Sequence, residues 1–128
     1  MNNTKITNIL YVEDEPDIQA VAQIALESVG GFTLKICSDG LSALEEATDF
    51  APDLLLLDVM MPGMDGPTTL SELRKIPALN QTPAIFMTAK VQSHEVEELI
   101  NLGAIAVIAK PFDPMTLSSQ IMEIWNNQ

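Results

Sequence analysis

Short apolar runs alternate along this chain with longer segments in which apolar residues recur every three or four positions, and the alternation repeats five times. Ile6 to Val12 predicts a first strand, ending at Glu13-Asp14-Glu15. Ile18, Val21, Ala22, Ala25 and Val29 follow at helical spacing, with Pro16 near the start and Gly30-Gly31 at the stop. Phe32 to Cys37 predicts a second strand, and Asp39 can cap a helix carrying Leu41, Leu44 and Ala47 that gives way to Pro52. Asp53 to Asp58 holds a run of leucines, an unbroken apolar stretch of the kind found in a strand covered on both faces. A turn-rich loop, Met61-Pro62-Gly63-Met64-Asp65-Gly66, has Asp65 placed to cap the next helix, which contains Leu70, Leu73 and Ile76. Pro83 to Thr88 predicts the fourth strand, and the helix bearing Val96, Leu99 and Ile100 closes at Gly103. Ala104 to Ala109 is the fifth strand, and Asp113 and Pro114 start a last helix with Leu117, Ile121, Ile124 and Trp125.

Five β-α units predict an α/β fold, a parallel sheet with helices on both faces, because right-handed crossovers leave few other topologies. The ligand site of such a sheet lies at the carboxyl ends of its strands. Glu13 and Asp14, Asp58, Thr88 and Lys110 each follow or end a strand, so the topology predicts that they meet at one edge. No linker, repeat or low-complexity stretch divides the 128 residues, which are expected to form one domain over 1–128.

Composition narrows the partners. With 18 acidic against 6 basic residues, and a net charge of −12, neither a nucleic-acid backbone nor an anionic membrane is an expected ligand. The apolar runs fall far short of the roughly 18 residues of a membrane span, and Met1 to Thr7 lacks the apolar core of a signal peptide. A cytoplasmic location is expected, and the single Cys37 fits a reducing compartment.

Three carboxylates at one edge repel each other, and the strain is relieved by raising a pKa or recruiting a cation. Oxygen-only ligands suit Mg²⁺. Asp14 and Asp58 are the expected direct ligands, with Glu13 acting through water and a backbone carbonyl just after Asp58. Lys110 adds a fixed positive charge and Thr88 a hydroxyl, which together suit an anion with several oxygens. Phosphoryl transfer is the reaction favoured, with Asp58 as the nucleophile forming an aspartyl phosphate.

Glu13-Asp14, Asp58 with the Met61 to Gly66 loop, Thr88-Ala89 and Lys110-Pro111-Phe112 stand in order on the matching strand ends. With these pieces the sequence resembles a response-regulator receiver domain over essentially its whole length. The resemblance implies a doubly wound, flavodoxin-like, five-stranded sheet in the order 2-1-3-4-5 with five helices. It implies a sensor histidine kinase or phosphotransfer protein as donor and Asp58 as acceptor. Mg²⁺ would be held by Asp14, Asp58 and the Met60 carbonyl, Lys110 would pair with the phosphoryl group, and the Lys110-Pro111 peptide would be cis. It further implies a signalling phosphoacceptor that catalyses only its own phosphoryl transfer and dephosphorylation. Its output would pass in trans to a separate protein through the fourth helix, fifth strand and fifth helix, and the family also admits phosphorylation-dependent homodimers. Met60 and Lys90 occupy positions that in the family tune access of the hydrolytic water.

The sequence departs from the family at one switch position. The residue coupled to Thr88 on the fifth strand, three before the lysine, is an aromatic in the family and Val107 here. Valine has no ring to change rotamer, so signalling is expected through Thr88 and the loop Lys90 to His94, with open space below Val107. Three other functions share parts of the pattern. A receiver-like binding module would work without phosphorylation. An aspartate-nucleophile phosphatase of the haloacid dehalogenase type needs an Asp where Met60 stands. A flavodoxin-like electron carrier needs a phosphate-cradling loop where Glu13-Asp14-Glu15 would repel the phosphate. Glu15, Asp17 and the Glu95, Glu97, Glu98 group read as solvated surface, His94 as an exposed helix start, and Cys37 as a small buried apolar residue.

Overall fold

In the computed structural model, which describes residues 5–128, five strands pair in parallel. They are β1 (Asn8–Val12), β2 (Thr33–Cys37), β3 (Leu54–Asp58), β4 (Ala84–Thr88) and β5 (Ala106–Ala109), in the order β2-β1-β3-β4-β5. Five α-helices connect and follow them: α1 (Pro16–Gln23), α2 (Gly40–Phe50), α3 (Gly66–Arg74), α4 (Ser93–Asn101) and α5 (Leu117–Asn126). This is the doubly wound α/β arrangement that the five-fold alternation implies.

Side chains alternate across each strand, and the alternation separates two cores. Ile9, Tyr11, Leu54, Leu56, Ile85 and Met87 face one side, against Ala22, Ala25, Leu26, Leu117, Ile121 and Trp125. Leu10, Val12, Leu55, Leu57, Ala84 and Phe86 face the other, against Ala43, Ala47, Leu70, Leu73 and Leu99. Every residue of β3 and β4 is buried, which accounts for the unbroken leucine run.

The differences from the sequence pattern lie at element ends and on helix faces. Ile6 and Ala104 are buried but precede the strands they were expected to open. Asp53 explains the first case: its Oδ2 accepts from the backbone N–H of Thr7 at 2.8 Å and of Asn8 at 2.9 Å, so a side chain rather than a ladder holds the start of β1. The expected single helix to Gly30 is α1 followed by a π-helical segment, Ile24–Val29. Across the two segments Ala22, Ala25 and Leu26 pack against the sheet, and Val21 and Val29 are exposed. Leu41 and Ile100 also face outward, while Ala43 takes the buried place on α2. Ile76 lies beyond the end of α3. The last helix starts at Leu117 rather than Asp113, because residues 114–116 form a turn in which Asp113 Oδ1 accepts from Met115 N at 2.9 Å.

The π segment is tied to the far end of the chain. The Ala25 carbonyl accepts from Gly30 N at 3.2 Å, and Ser118 Oγ of α5 donates to the same oxygen. A Cβ at Gly30 would overlap the Ser118 side chain, so only glycine permits this approach. On α4, by contrast, Leu99 is the one fully buried residue, whereas α5 buries Leu117, Ser118, Ile121 and Trp125.

Candidate functional site

The strands carry their terminal polar groups to one edge of the sheet, as the topology requires. Glu13 follows β1, where its N–H donates to the Cys37 carbonyl of β2 at 3.0 Å. Asp58 closes β3 and Thr88 closes β4, both buried. Lys110 follows β5, and its N–H donates to the Thr88 carbonyl at 2.9 Å. The Lys110-Pro111 peptide is cis.

These side chains interact directly. Glu13, Asp14 and Asp58 each offer a carboxylate oxygen, and the three oxygens lie within 4.8 Å of one another. Lys110 Nζ donates to Glu13 Oε1 at 3.0 Å and to Asp58 Oδ1 at 3.1 Å, although these residues are separated by 97 and 52 positions. Burial, and then the neighbouring Glu13 carboxylate, push the Asp58 pKa up to about 6 against the pull of Lys110. For Lys110, burial disfavours the ammonium, but its bonds to Glu13 and Asp58 outweigh that and raise its pKa. Three carboxylates with one ammonium leave a negative excess. The donor set is all oxygen, so it fits a hard divalent cation such as Mg²⁺.

Besides the role through metal-bound water expected from the sequence, Glu13 has direct partners in the protein. It is fully buried and both of its oxygens are engaged: Oε1 by Lys110, and Oε2 by the Glu15 N–H at 3.2 Å. Two residues that the sequence did not single out hold it there. Gln19 Nε2 donates to the Glu13 carbonyl, and the Tyr11 hydroxyl donates to Glu13 Oε1 at 3.4 Å. Tyr11 was legible in principle, since it lies two positions before Glu13 and therefore on the same face of the strand.

The loop after Asp58 is closed at its base, where Val59 N donates to the Met87 carbonyl at 3.0 Å and Gly66 N to the Val59 carbonyl at 2.9 Å. A Cβ at Gly66 would fall on the Asp58 carbonyl oxygen and within 2.9 Å of Val59 Cα, so glycine lets α3 start directly under the site. Asp65 caps that helix, its Oδ1 accepting from Thr68 N at 2.8 Å. The Met60 side chain points outward, 64% exposed. Thr88 Oγ1 accepts from Lys90 N at 3.1 Å, which leaves the hydroxyl proton to donate elsewhere. Val107 is half-buried against the second core and lines a recess of about 520 Å³ with Ile105, Gln120 and Ile124. A cavity of about 770 Å³ lies between Gly30 and α5, away from the polar cluster.

Fold and site together define a doubly wound α/β module with an acidic cluster and a lysine at its strand ends, and comparison with known proteins gives its family. Residues 9–122 match the response regulator receiver domain, and the chain belongs to that family, the receiver domains of two-component response regulators. The transcriptional regulatory protein CseB of Streptomyces coelicolor is 38% identical over 118 residues, which cover 92% of this chain and 49% of that protein. The regulatory protein AtoC of Escherichia coli is 36% identical over 86% of this chain and 23% of its own length. The chain thus spans at most about half the length of these relatives. Among solved structures, the Vibrio cholerae chemotaxis protein CheY4 superposes with a TM-score of 0.85 at 26% identity, covering 94% of this chain and 99% of that one. Receiver domains are signalling phosphoacceptors that interact with histidine kinases or phosphotransfer partners. No helix among the described residues is long and apolar enough to cross a membrane.

Proposed function

We propose that residues 1–128 act as a single receiver domain in which Asp58 accepts a phosphoryl group from a phosphohistidine. The observation that carries this reading is the bridging Lys110 ammonium, 3.1 Å from Asp58 Oδ1 and 3.0 Å from Glu13 Oε1, beside the Asp14 carboxylate. An Asp58 oxygen attacks phosphorus in line with the P–N bond of the donor. The P–O bond forms as the P–N bond breaks, and the released electron pair stays on the imidazole nitrogen, which takes up a proton. Hydrolysis later returns the Asp58 carboxylate and inorganic phosphate. Lys110 and the Thr88 hydroxyl are placed to meet the transferred oxygens. Asp14, Asp58 and the Met60 carbonyl would hold Mg²⁺, which when bound offsets charge on the phosphoryl oxygens. Glu13 contributes by anchoring Lys110.

The α4, β5 and α5 face carries the output to a downstream protein partner in a cytoplasmic setting. Val107, which lacks a ring, favours a second reading in which the same face binds a partner whether or not Asp58 is phosphorylated. Equal partner affinity with and without fluoroberyllate, a phosphoryl mimic, would select that second reading. The acceptor assignment is tested with acetyl phosphate and Mg²⁺. Wild-type protein gains an acid-labile phosphoryl adduct and Asp58→Asn gains none; equal labelling of the two overturns it.

A further inference from the structure

The phenol of Tyr11 is fully buried in the core under β1, and the strand's two-residue repeat turns its hydroxyl toward Glu13. Among the described residues that hydroxyl has one hydrogen-bond partner, Glu13 Oε1. The bond is long, 3.4 Å where O–H···O pairs favour about 2.7–2.8 Å, and Lys110 Nζ occupies the same oxygen at 3.0 Å. Oε1 is therefore shared between a charged donor that is close and a neutral donor that is held back. Lys110 is the mobile member, a single charge on a flexible stem, whereas the tyrosine ring is fixed by packing.

Phosphorylation of Asp58 adds negative charge and acceptor oxygens at the other end of the Lys110 bridge. Drawing Nζ toward them removes the charge-assisted bond from Glu13 Oε1 in a buried place, where an unpaired carboxylate oxygen is costly. We propose that Tyr11 is a positioning residue for the phosphorylated state: Glu13 Oε1 closes on its fixed hydroxyl as Lys110 moves to the phosphoryl group. The inference rests on the phosphoacceptor reading and adds a donor, placed in advance, that compensates for the departure of Lys110.

Tyr11→Phe removes the hydroxyl and keeps the ring. Fluoroberyllate with Mg²⁺ is titrated into wild-type and variant protein, and thermal midpoints are recorded without the mimic. Loss of a hydrogen bond to a charged group predicts affinity for the mimic weakened about tenfold in Y11F. A merely structural role instead lowers the midpoint and leaves the affinity within twofold, which overturns the proposal. A second readout needs no variant. Tyr11 is the only tyrosine in the chain, so a ζ-¹³C label gives a single line. That line moves downfield when Mg²⁺ and fluoroberyllate are added if the phenol bond shortens, and an unmoved line refutes the mechanism. If wild-type protein binds no fluoroberyllate, the phosphoacceptor reading itself fails, an outcome distinct from equal binding by wild type and Y11F.

Discussion

Removing the Asp58 charge should stabilise the metal-free protein, even though it destroys the proposed acceptor. Burial and Glu13 raise the Asp58 pKa to about 6, so its ionised form is disfavoured in the folded chain relative to an unfolded one, where an aspartate titrates near its ordinary value. A displacement of about two pKa units corresponds to roughly 3 kcal/mol. The pull of Lys110 is already contained in that net displacement, and exchanging a buried, hydrogen-bonded carboxyl for an amide costs about 1 kcal/mol of its own. The net expectation for Asp58→Asn is a gain of about 2 kcal/mol, or roughly 8 °C in melting temperature for a domain of this size. Because the folded pKa is the higher one, the destabilisation is absent below about pH 4, grows through the window up to about pH 6, and is complete above it. Thermal unfolding followed by circular dichroism in EDTA at pH 8 and pH 5 measures both the gain and its pH dependence. The penalty on the wild-type carboxylate halves at pH 5 while the cost of the amide stays, so the variant's advantage should fall to about a quarter of its pH 8 value. A variant no more stable than wild type at pH 8, or one with the same advantage at both pH values, would refute the reasoning.

Two further substitutions probe the framework of the site. Gly66→Ala drives a methyl group onto the Asp58 carbonyl oxygen and the Val59 backbone, so urea unfolding should show a loss of about 1–3 kcal/mol, together with weaker Mg²⁺ binding by calorimetry. Unchanged stability would mean that the β3-α3 loop yields easily. Asp53→Ala leaves the Thr7 and Asn8 N–H groups without their acceptor and should lose about 1–2 kcal/mol, with faster amide hydrogen exchange at Asn8 as its local signature.

Much of this molecule was legible in its sequence because the sheet is governed by short-range rules. The Leu54 to Leu57 run could only be a strand covered twice, and placing Asp58, Thr88 and Lys110 at strand ends required nothing beyond counting β-α units. What escaped were relations set by packing. Ile6 and Ala104 are as apolar as strand residues but lie outside the ladder, since burial and pairing are separate properties. The break from α to π at Ile24 carries no glycine or proline signal, and past it Ala25 and Leu26 take the buried face while Val29 turns outward. In the site, the pairing of Lys110 with Glu13 spans 97 residues, and the local pattern gave no sign of it. Tyr11 lay unremarked inside the first predicted strand, and only its shared face with Glu13 gives the hydroxyl a purpose.

The Ser118 to Ala25 bond also decides how the domain yields when its site is disturbed. It fastens α5 to the segment after α1, the helix whose Gln19 holds the Glu13 backbone, so that flank behaves as a stiff wall. Across the sheet, α4 is pinned mainly by Leu99, and the loop before it begins at Thr88. A push arriving at the strand ends therefore meets unequal resistance, and the compliant flank moves first. This unequal packing predicts a rectifier of motion, in which displacement goes toward α4 and Val107 offers no ring to relay it.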